Sequence, residues 1–169
     1  MSWHLRNLRV DDIPGLLEVQ RACYGDDFIE DEAVFARRIA SASNCSVVLQ
    51  HDDAVCAYLA AYRSRVGQVT PLHGDFAAPE QAPDTLYLHD MAVLPAFAGQ
   101  GLARMLVDML WRMARAQGLA HSALVSVQGS QPYWERKGYA IHVLDDAQQR
   151  SSLATYGDGA VYMLAQIGR

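Results

Sequence analysis

The residues best placed to do chemistry lie in Leu88–Met109, LHDMAVLPAFAGQGLARMLVDM. A β-rich run carrying His89 and Asp90 leads into a glycine-rich turn, and an amphipathic segment follows at once. N–H groups at a helix N-terminus have no intrahelical acceptor, and the macrodipole adds partial positive charge there. Glycines let a phosphate approach that backbone without a Cβ in the way. Gly99, Gln100, Gly101, Leu102 and Ala103 therefore read as a pyrophosphate cradle, and Arg104 is placed to add a charge-assisted contact. A plain structural turn would use the same glycines. The turn is not GxxxxGK[ST], which disfavours an ATP-type P-loop. It is not GxGxxG with an acidic residue ~20 positions on, which disfavours a dinucleotide fold.

The elements that would position this turn can be read from periodicity. Trp3–Arg9 alternates as a strand. Asp11 or Asp12 caps a helix with Pro14 in its first turn and a stripe of Ile13, Leu16, Leu17 and Tyr24. Asp31–Ala42 reads as a second, shorter helix. Ser46–Gln50 and Val55–Arg63 form a hairpin across His51-Asp52-Asp53. Val66–Pro83, rich in Gly and Pro, reads as a long loop of the kind that often carries function. Thr85–Val93 is a strand stopped by Pro95. The helix opened by Gly99 and Gly101 has the stripe Leu102, Met105, Leu106, Met109, Leu110 and Met113, core packing and not a cofactor box. Ala123–Val127 is a strand, Gln131–Arg136 a short helix, and Tyr139–Leu144 and Val161–Ile167 the last strands, separated by a polar loop. The order β-α-α-β-β-β-α-β-α-β-β predicts a mixed α/β sheet with helices on both faces.

Composition narrows the class. The 169 residues carry 14 Lys+Arg against 19 Asp+Glu, net −5, a poor balance for neutralising a phosphate backbone; no nucleic-acid partner is expected. Cys23, Cys45 and Cys56 have no CxxC spacing and read as buried thiols in a reducing compartment. With no apolar stretch of spanning length and no signal-peptide pattern near the start, the expectation is a cytoplasmic protein without a membrane partner.

Two motifs together carry a family likeness. Ala92-Val93-Leu94-Pro95 followed by Ala98-Gly99-Gln100-Gly101-Leu102-Ala103 resembles the acetyl-CoA motif of GNAT N-acetyltransferases: a strand ending in hydrophobic-Val-x-Pro, then [Q/R]-x-x-G-x-[G/A], then an amphipathic helix. It agrees at Val93, Pro95, Gly101 and Ala103 and departs at Ala98, where the family usually has Arg or Gln. Tyr133-Trp134-Glu135-Arg136-Lys137-Gly138-Tyr139 resembles the family's aromatic-Tyr-Glu-Lys-x-Gly-Phe segment, at the expected separation. The inferred element order is also the family's.

The resemblance implies a single GNAT domain over 1–169 with a GNAT-like mixed central sheet. It implies acetyl-CoA as co-substrate, no metal, and direct attack by a primary amine of a small molecule or peptide in a ternary complex. It leaves room for a homodimer. The Val93 amide would polarise the acetyl carbonyl. The amine needs a base, and His89 and Asp90 are the candidates. Alternation puts them on opposite faces, with Asp90 sharing the face of Leu86 and Leu88; Asp90 has the family position, and histidine is the residue type whose unperturbed titration falls near neutrality. The family's usual thiolate donor, a Tyr, is replaced by Trp134, whose indole donates a hydrogen bond but no proton. Trp134 is then expected to pack beside the thioester or pantetheine, and Tyr133 is adjacent but ~100° around the helix. A catalytically silent acyl-CoA-binding domain and a transferase of a larger acyl group are the alternatives. The acidic run Asp26–Glu32 suggests a cationic acceptor drawn by negative potential, or simply a solvated surface with a helix cap.

Overall fold

A computed structural model describes residues 2–168. The strands are β1 (Trp3–Asn7), β2 (Val47–His51), β3 (Ala54–Ser64), β4 (Thr85–Val93), β5 (His121–Ser126), β6 (Ala140–Ile141) and β7 (Val161–Gln166). They form one sheet in the order β1-β2-β3-β4-β5-β7-β6. Every neighbouring pair is antiparallel except β4 and β5. The β2–β3 turn uses Asp52 and Asp53, both at positive φ (47° and 67°), the backbone twist that tight hairpins favour.

The helices are α1 (Ile13–Cys23), α2 (Glu32–Ile39), α3 (Leu102–Ala116), α4 (Gln131–Arg136) and α5 (Ala147–Ala154). α1 and α2 cover one face, packing Leu16, Val19 and Phe35 on Val48, Tyr58, Ala60 and Ala92. α3 and Trp134 of α4 cover the other, against Leu59, Leu86, Leu88, Leu124 and Met163. The fold class is the one expected. Asp31 caps α2 by accepting from Val34 N–H. Among the described residues, no helix is long and apolar enough to cross a membrane.

Several local expectations change. The expected strand Tyr139–Leu144 is only Ala140–Ile141, and Asp12 makes no side-chain cap bond to α1 because its carboxylate is taken by Arg6. The buried stripe of α3 is Leu102, Leu106, Val107, Leu110 and Ala114, while Met105 is exposed and Met109 and Met113 only partly covered. The stripe is rotated towards Val107 and Ala114, small residues that let the helix sit close on the sheet. The polar stretch before β7 holds α5, a helix without an apolar stripe; its signal is the cap, Asp146 accepting from Gln149 N–H.

Candidate active site

The parallel pairing of β4 with β5 ends at Leu88–Leu124, while β4 continues against β3 as far as Val93. The sheet is therefore split beyond Leu88. Leu94 N–H donates to Cys56 O of β3 at 2.8 Å. With the two-residue alternation of a strand, the backbone groups of Ala92 and Asp90 also face β3, and those of Met91 and Val93 face the split. The carbonyls on this edge are capped from α1 and its C-terminus: Tyr24 Oη donates to Met91 O at 2.6 Å, and Cys23 Sγ to Val93 O at 3.1 Å.

The register shifts in the same place. Ala60 pairs with Asp90 and Ala61 with Leu88, so His89 is an extra residue with no partner in β3. This β-bulge overturns the alternation argument. Leu86, Leu88, Met91 and Val93 face α3. His89 and Asp90 both turn to the opposite face. The His89 ring lies 6.2 Å from that of Tyr87 and 6.0 Å from that of Tyr62, and Tyr58 Oη donates to Asp90 Oδ2 at 2.5 Å. Asp90 therefore does not share the face of Leu86 and Leu88. Burial pushes its carboxyl above the ordinary carboxylate value, partly offset by His89 and by the Tyr58 hydroxyl.

His89 belongs to a buried polar cluster. Its Nε2 is 2.8 Å from Glu30 Oε1, and its side chain is 1% exposed. Arg38 donates to both Glu30 oxygens, at 2.8 and 2.6 Å, and to Gly74 O, while His73 N–H donates to Glu30 Oε2. Nε2 also lies 3.0 Å from Arg38 Nη1, and Nδ1 lies 3.3 Å from Tyr156 Oη, so both ring nitrogens are engaged within the cluster. Burial alone would raise the Glu30 carboxyl; His89 and the Arg38 guanidinium outweigh it and hold the group well below the usual carboxylate range. Gln20 fixes the Glu30 backbone by donating to its O and accepting from its N–H. The acidic run thus has separate fates: Asp26 and Asp27 are exposed, Glu30 is internal and paired, and Asp31 is a cap.

A cavity of about 300 Å³ opens on this side and runs through the split. Tyr24, Phe28, Leu72, Asp90 and Tyr156 line one end; Leu124, Val127, Ser130, Tyr133 and Trp134 line the other. Leu72 comes from the long loop between β3 and β4, which is held by Tyr156 Oη donating to Thr70 O and by Leu72 N–H donating to Thr155 Oγ1.

The glycine turn continues from the end of β4. Gly99 and Gly101 both have φ +76°, a left-handed conformation that explains glycine at each. A Cβ at either would meet no protein atom within 4 Å. The first helical bond of α3 runs from Met105 N–H to Gly101 O, so the N–H groups of Leu102, Ala103 and Arg104 have no intrahelical acceptor. No acidic residue occupies the first turn. Gly99, Gln100, Gly101 and Arg104 are exposed, as is Ala98 before them. Arg104 reaches Asp108 at 3.4 Å on the surface. A second hollow, about 400 Å³, is lined by Arg104, Trp111, Arg136 and Lys137 and shares Tyr133 with the first. Trp134 is buried against Tyr139, ring centroids 5.4 Å apart, with Tyr133 edge-on at 4.9 Å.

The sequence expectation brought His89, Asp90, Val93, Tyr133 and Trp134 to this region, and the cavity unites the lining residues among them. It missed Arg38, Tyr24 and Tyr156, which reach the site from distant segments, and it read Glu30 only as part of a surface acidic run, not as the buried partner of Arg38 and His89.

The family described as "Acetyltransferase (GNAT) family" matches residues 13–139. No curated protein sequence matches significantly. Among solved structures, the chain is similar to the ribosomal-protein-S18-alanine N-acetyltransferase of Escherichia coli, with 18% identity, TM-score 0.72, and coverage of 99% of this chain and 96% of that one. It is similar to the loading GNATL domain of CurA from Lyngbya majuscula at 14% identity and TM-score 0.76, covering 99% and 98%. The PaiA N-acetyltransferase of Thermoplasma acidophilum, solved with coenzyme A, gives 12% identity and TM-score 0.69, covering 98% and 99%. At these identities the likeness concerns the fold.

Proposed function

Because the chain belongs to the GNAT acetyltransferase family, we propose that it is an N-acetyltransferase taking acetyl-CoA as donor and a primary amine as acceptor, joined in one ternary complex. The observation that carries this reading is the split at Met91–Val93: a strand edge with free-facing N–H groups, a carboxylate beside it and a glycine-opened helix just beyond. The fit to coenzyme A rests on the same features. The turn offers amides at Leu102, Ala103 and Arg104, open space above Gly99 and Gly101, and a basic hollow at Arg104, Arg136 and Lys137 for a terminal phosphate. Ala98 contributes backbone only, and Trp134 forms an apolar wall for the pantetheine arm.

Bound acetyl-CoA supplies an electrophilic thioester carbonyl. The Val93 N–H is the preorganised donor for the charge that develops on that oxygen. An ammonium acceptor sheds one proton before attack and another as the amide forms. Asp90, raised by burial and open to the cavity, takes the first, directly or through water, and passes it to solvent; the second makes good the proton that the departing sulfur receives. His89 Nε2 is held between Glu30 and Arg38 and its side chain is enclosed, so we assign it to positioning. Tyr133 stands where the two hollows meet and is the candidate donor to the departing sulfur; burial raises its hydroxyl pKa, which suits a group that stays protonated. Of the three free thiols only Cys56 is fully buried, Cys45 is half-buried and Cys23 is exposed, against the expectation of three buried thiols; free thiols fit a reducing, cytoplasmic setting, and we take 1–169 as one catalytic domain.

A second reading, a silent acyl-CoA-binding domain, has Trp134 in its favour, since it replaces the family's usual donor. Release of free CoA from acetyl-CoA, measured against a panel of amines, separates them: turnover with any amine supports the transferase, and tight binding without turnover supports the silent domain. Two variants check the parts. Gly101→Asp forces a side chain into the left-handed conformation and puts a carboxylate where the phosphate would sit. The thermal stabilisation by acetyl-CoA should vanish, and a retained wild-type shift would remove the cradle. Trp134→Phe should cost less than about threefold in kcat, whereas Tyr133→Phe should cost about tenfold or more if its hydroxyl donates. The reverse order would exchange their roles.

A further inference from the structure

One end of the cavity carries information about the acceptor. Its walls are Tyr24, Phe28, Leu72 and Tyr156, each half-buried and so still presenting surface to a guest. The hydroxyl protons of both tyrosines are committed, Tyr24 to Met91 O and Tyr156 to Thr70 O. Phe28 and Leu72 have no polar side-chain atom. The walls therefore offer ring faces and methyl groups. The unpaired charge at this end is that of Asp90; Glu30 also borders the cavity but is paired with Arg38.

Among the described residues, no Lys or Arg lines the cavity. Arg38, the guanidinium behind Glu30, spends Nε on Gly74 O and its two terminal nitrogens on Glu30 and Gly74 O. Its side chain is 1% exposed. His89 Nε2 is turned to Glu30. Among the described residues, no cationic side chain at this end is left to receive a carboxylate. An α-amino acid brings one two bonds from its nitrogen. Here that group would lose its water without gaining a cationic partner and would lie close to Asp90, and both effects are unfavourable. An ammonium on an aromatic or aliphatic body meets the opposite conditions. Asp90 attracts the charge, ring faces favour a cation, and the walls cover the body.

We propose that the acceptor is a primary amine on an aromatic or otherwise apolar skeleton with no carboxylate beside the nitrogen. This rests on the acetyl-transfer reading of the same site and narrows it.

A matched series isolates the carboxylate: 2-phenylethylamine, L-phenylalanine and L-phenylalaninamide, each offered to the full chain. Two quantities are measured, kcat/KM by CoA release with acetyl-CoA, and Kd by calorimetry on protein saturated with CoA. The expected result is a preference of about 100-fold for 2-phenylethylamine over phenylalanine in both, equivalent to about 2.7 kcal/mol. Phenylalaninamide should recover at least tenfold of the loss. Phenylalanine binding or reacting as well as the amine, or none of the three binding, overturns the proposal. The preference in Kd without any CoA release would leave the acceptor class standing and sink the transfer reading. Turnover favouring phenylalanine would do the opposite.

Discussion

Replacing Asp90 by Asn lowers kcat/KM by about 100-fold or more, the range in which a positioned general base contributes. The substitution is nearly isosteric. It keeps an oxygen to accept from Tyr58 and leaves the bulge and the backbone edge of Met91 and Val93 intact, so the loss reports proton transfer and not folding. Acetyl-CoA affinity should be unchanged, because Asp90 lies at the acceptor end of the cavity. The pH profile supplies the sign. Asp90 works only when ionised, and burial raises its value; the wild-type rate should therefore climb with pH through a limb displaced upward from the ordinary carboxylate value of about 3.9. In Asp90→Asn that limb disappears, and what remains rises only as free amine becomes available at higher pH. An unaltered profile in Asp90→Asn, with the loss appearing in His89→Gln, would move the base to His89.

Replacing Glu30 by Gln destabilises the fold by about 3–5 kcal/mol, the usual cost of leaving one partner of a buried ion pair alone. Both side chains are at most 2% exposed, so water cannot compensate Arg38 without opening the structure. Against a total stability of about 5–15 kcal/mol, the loss should lower Tm by roughly 10 °C for a chain of this length. Pairing a Gln with Arg38→Met removes the orphan charge and should recover part of the loss; a double variant no better than Glu30→Gln would mean that the charge is not the cause. The acid behaviour follows from the same pair. The folded Glu30 value is depressed, so its contribution is present in full above the unfolded value of about 4.3. It is lost as pH falls below that towards the folded value. Glu30→Gln should show less of this acid sensitivity than the wild type. Equal acid sensitivity would show that other carboxylates govern it.

The legible part of the site was local. Gly99 and Gly101 announced a left-handed turn at a helix start, and nearly every element around it followed from periodicity and caps. What stayed hidden depended on pairing between distant segments. The bulge at His89 is a fact about register between β3 and β4; no alternation rule applied to β4 alone could show that His89 and Asp90 share a face. Glu30 stood inside an acidic run that read either as a field drawing a cationic acceptor or as solvated surface, and neither reading pairs it with a buried arginine. Only the fold brings Arg38, His89 and the backbone of His73 and Gly74 around it. Helix α5 lacks an apolar stripe, and its one signal, Asp146 three residues before Gln149, was available but unread. The α3 stripe erred because methionine counts as apolar wherever it stands, whereas close approach to the sheet selected Val107 and Ala114.

The central claim is that this site joins an acetyl group from acetyl-CoA to an amine nitrogen. Incubation with acetyl-CoA carrying a ¹³C-labelled carbonyl and with 2-phenylethylamine, followed by mass spectrometry of small molecules and intact protein, tests it directly. The account predicts labelled N-acetyl product in step with free CoA, no label on the protein, and a product rate cut about 100-fold by Asp90→Asn. Label recovered only as free acetate, only on the protein, or entirely in unreacted thioester across the amine panel would contradict it.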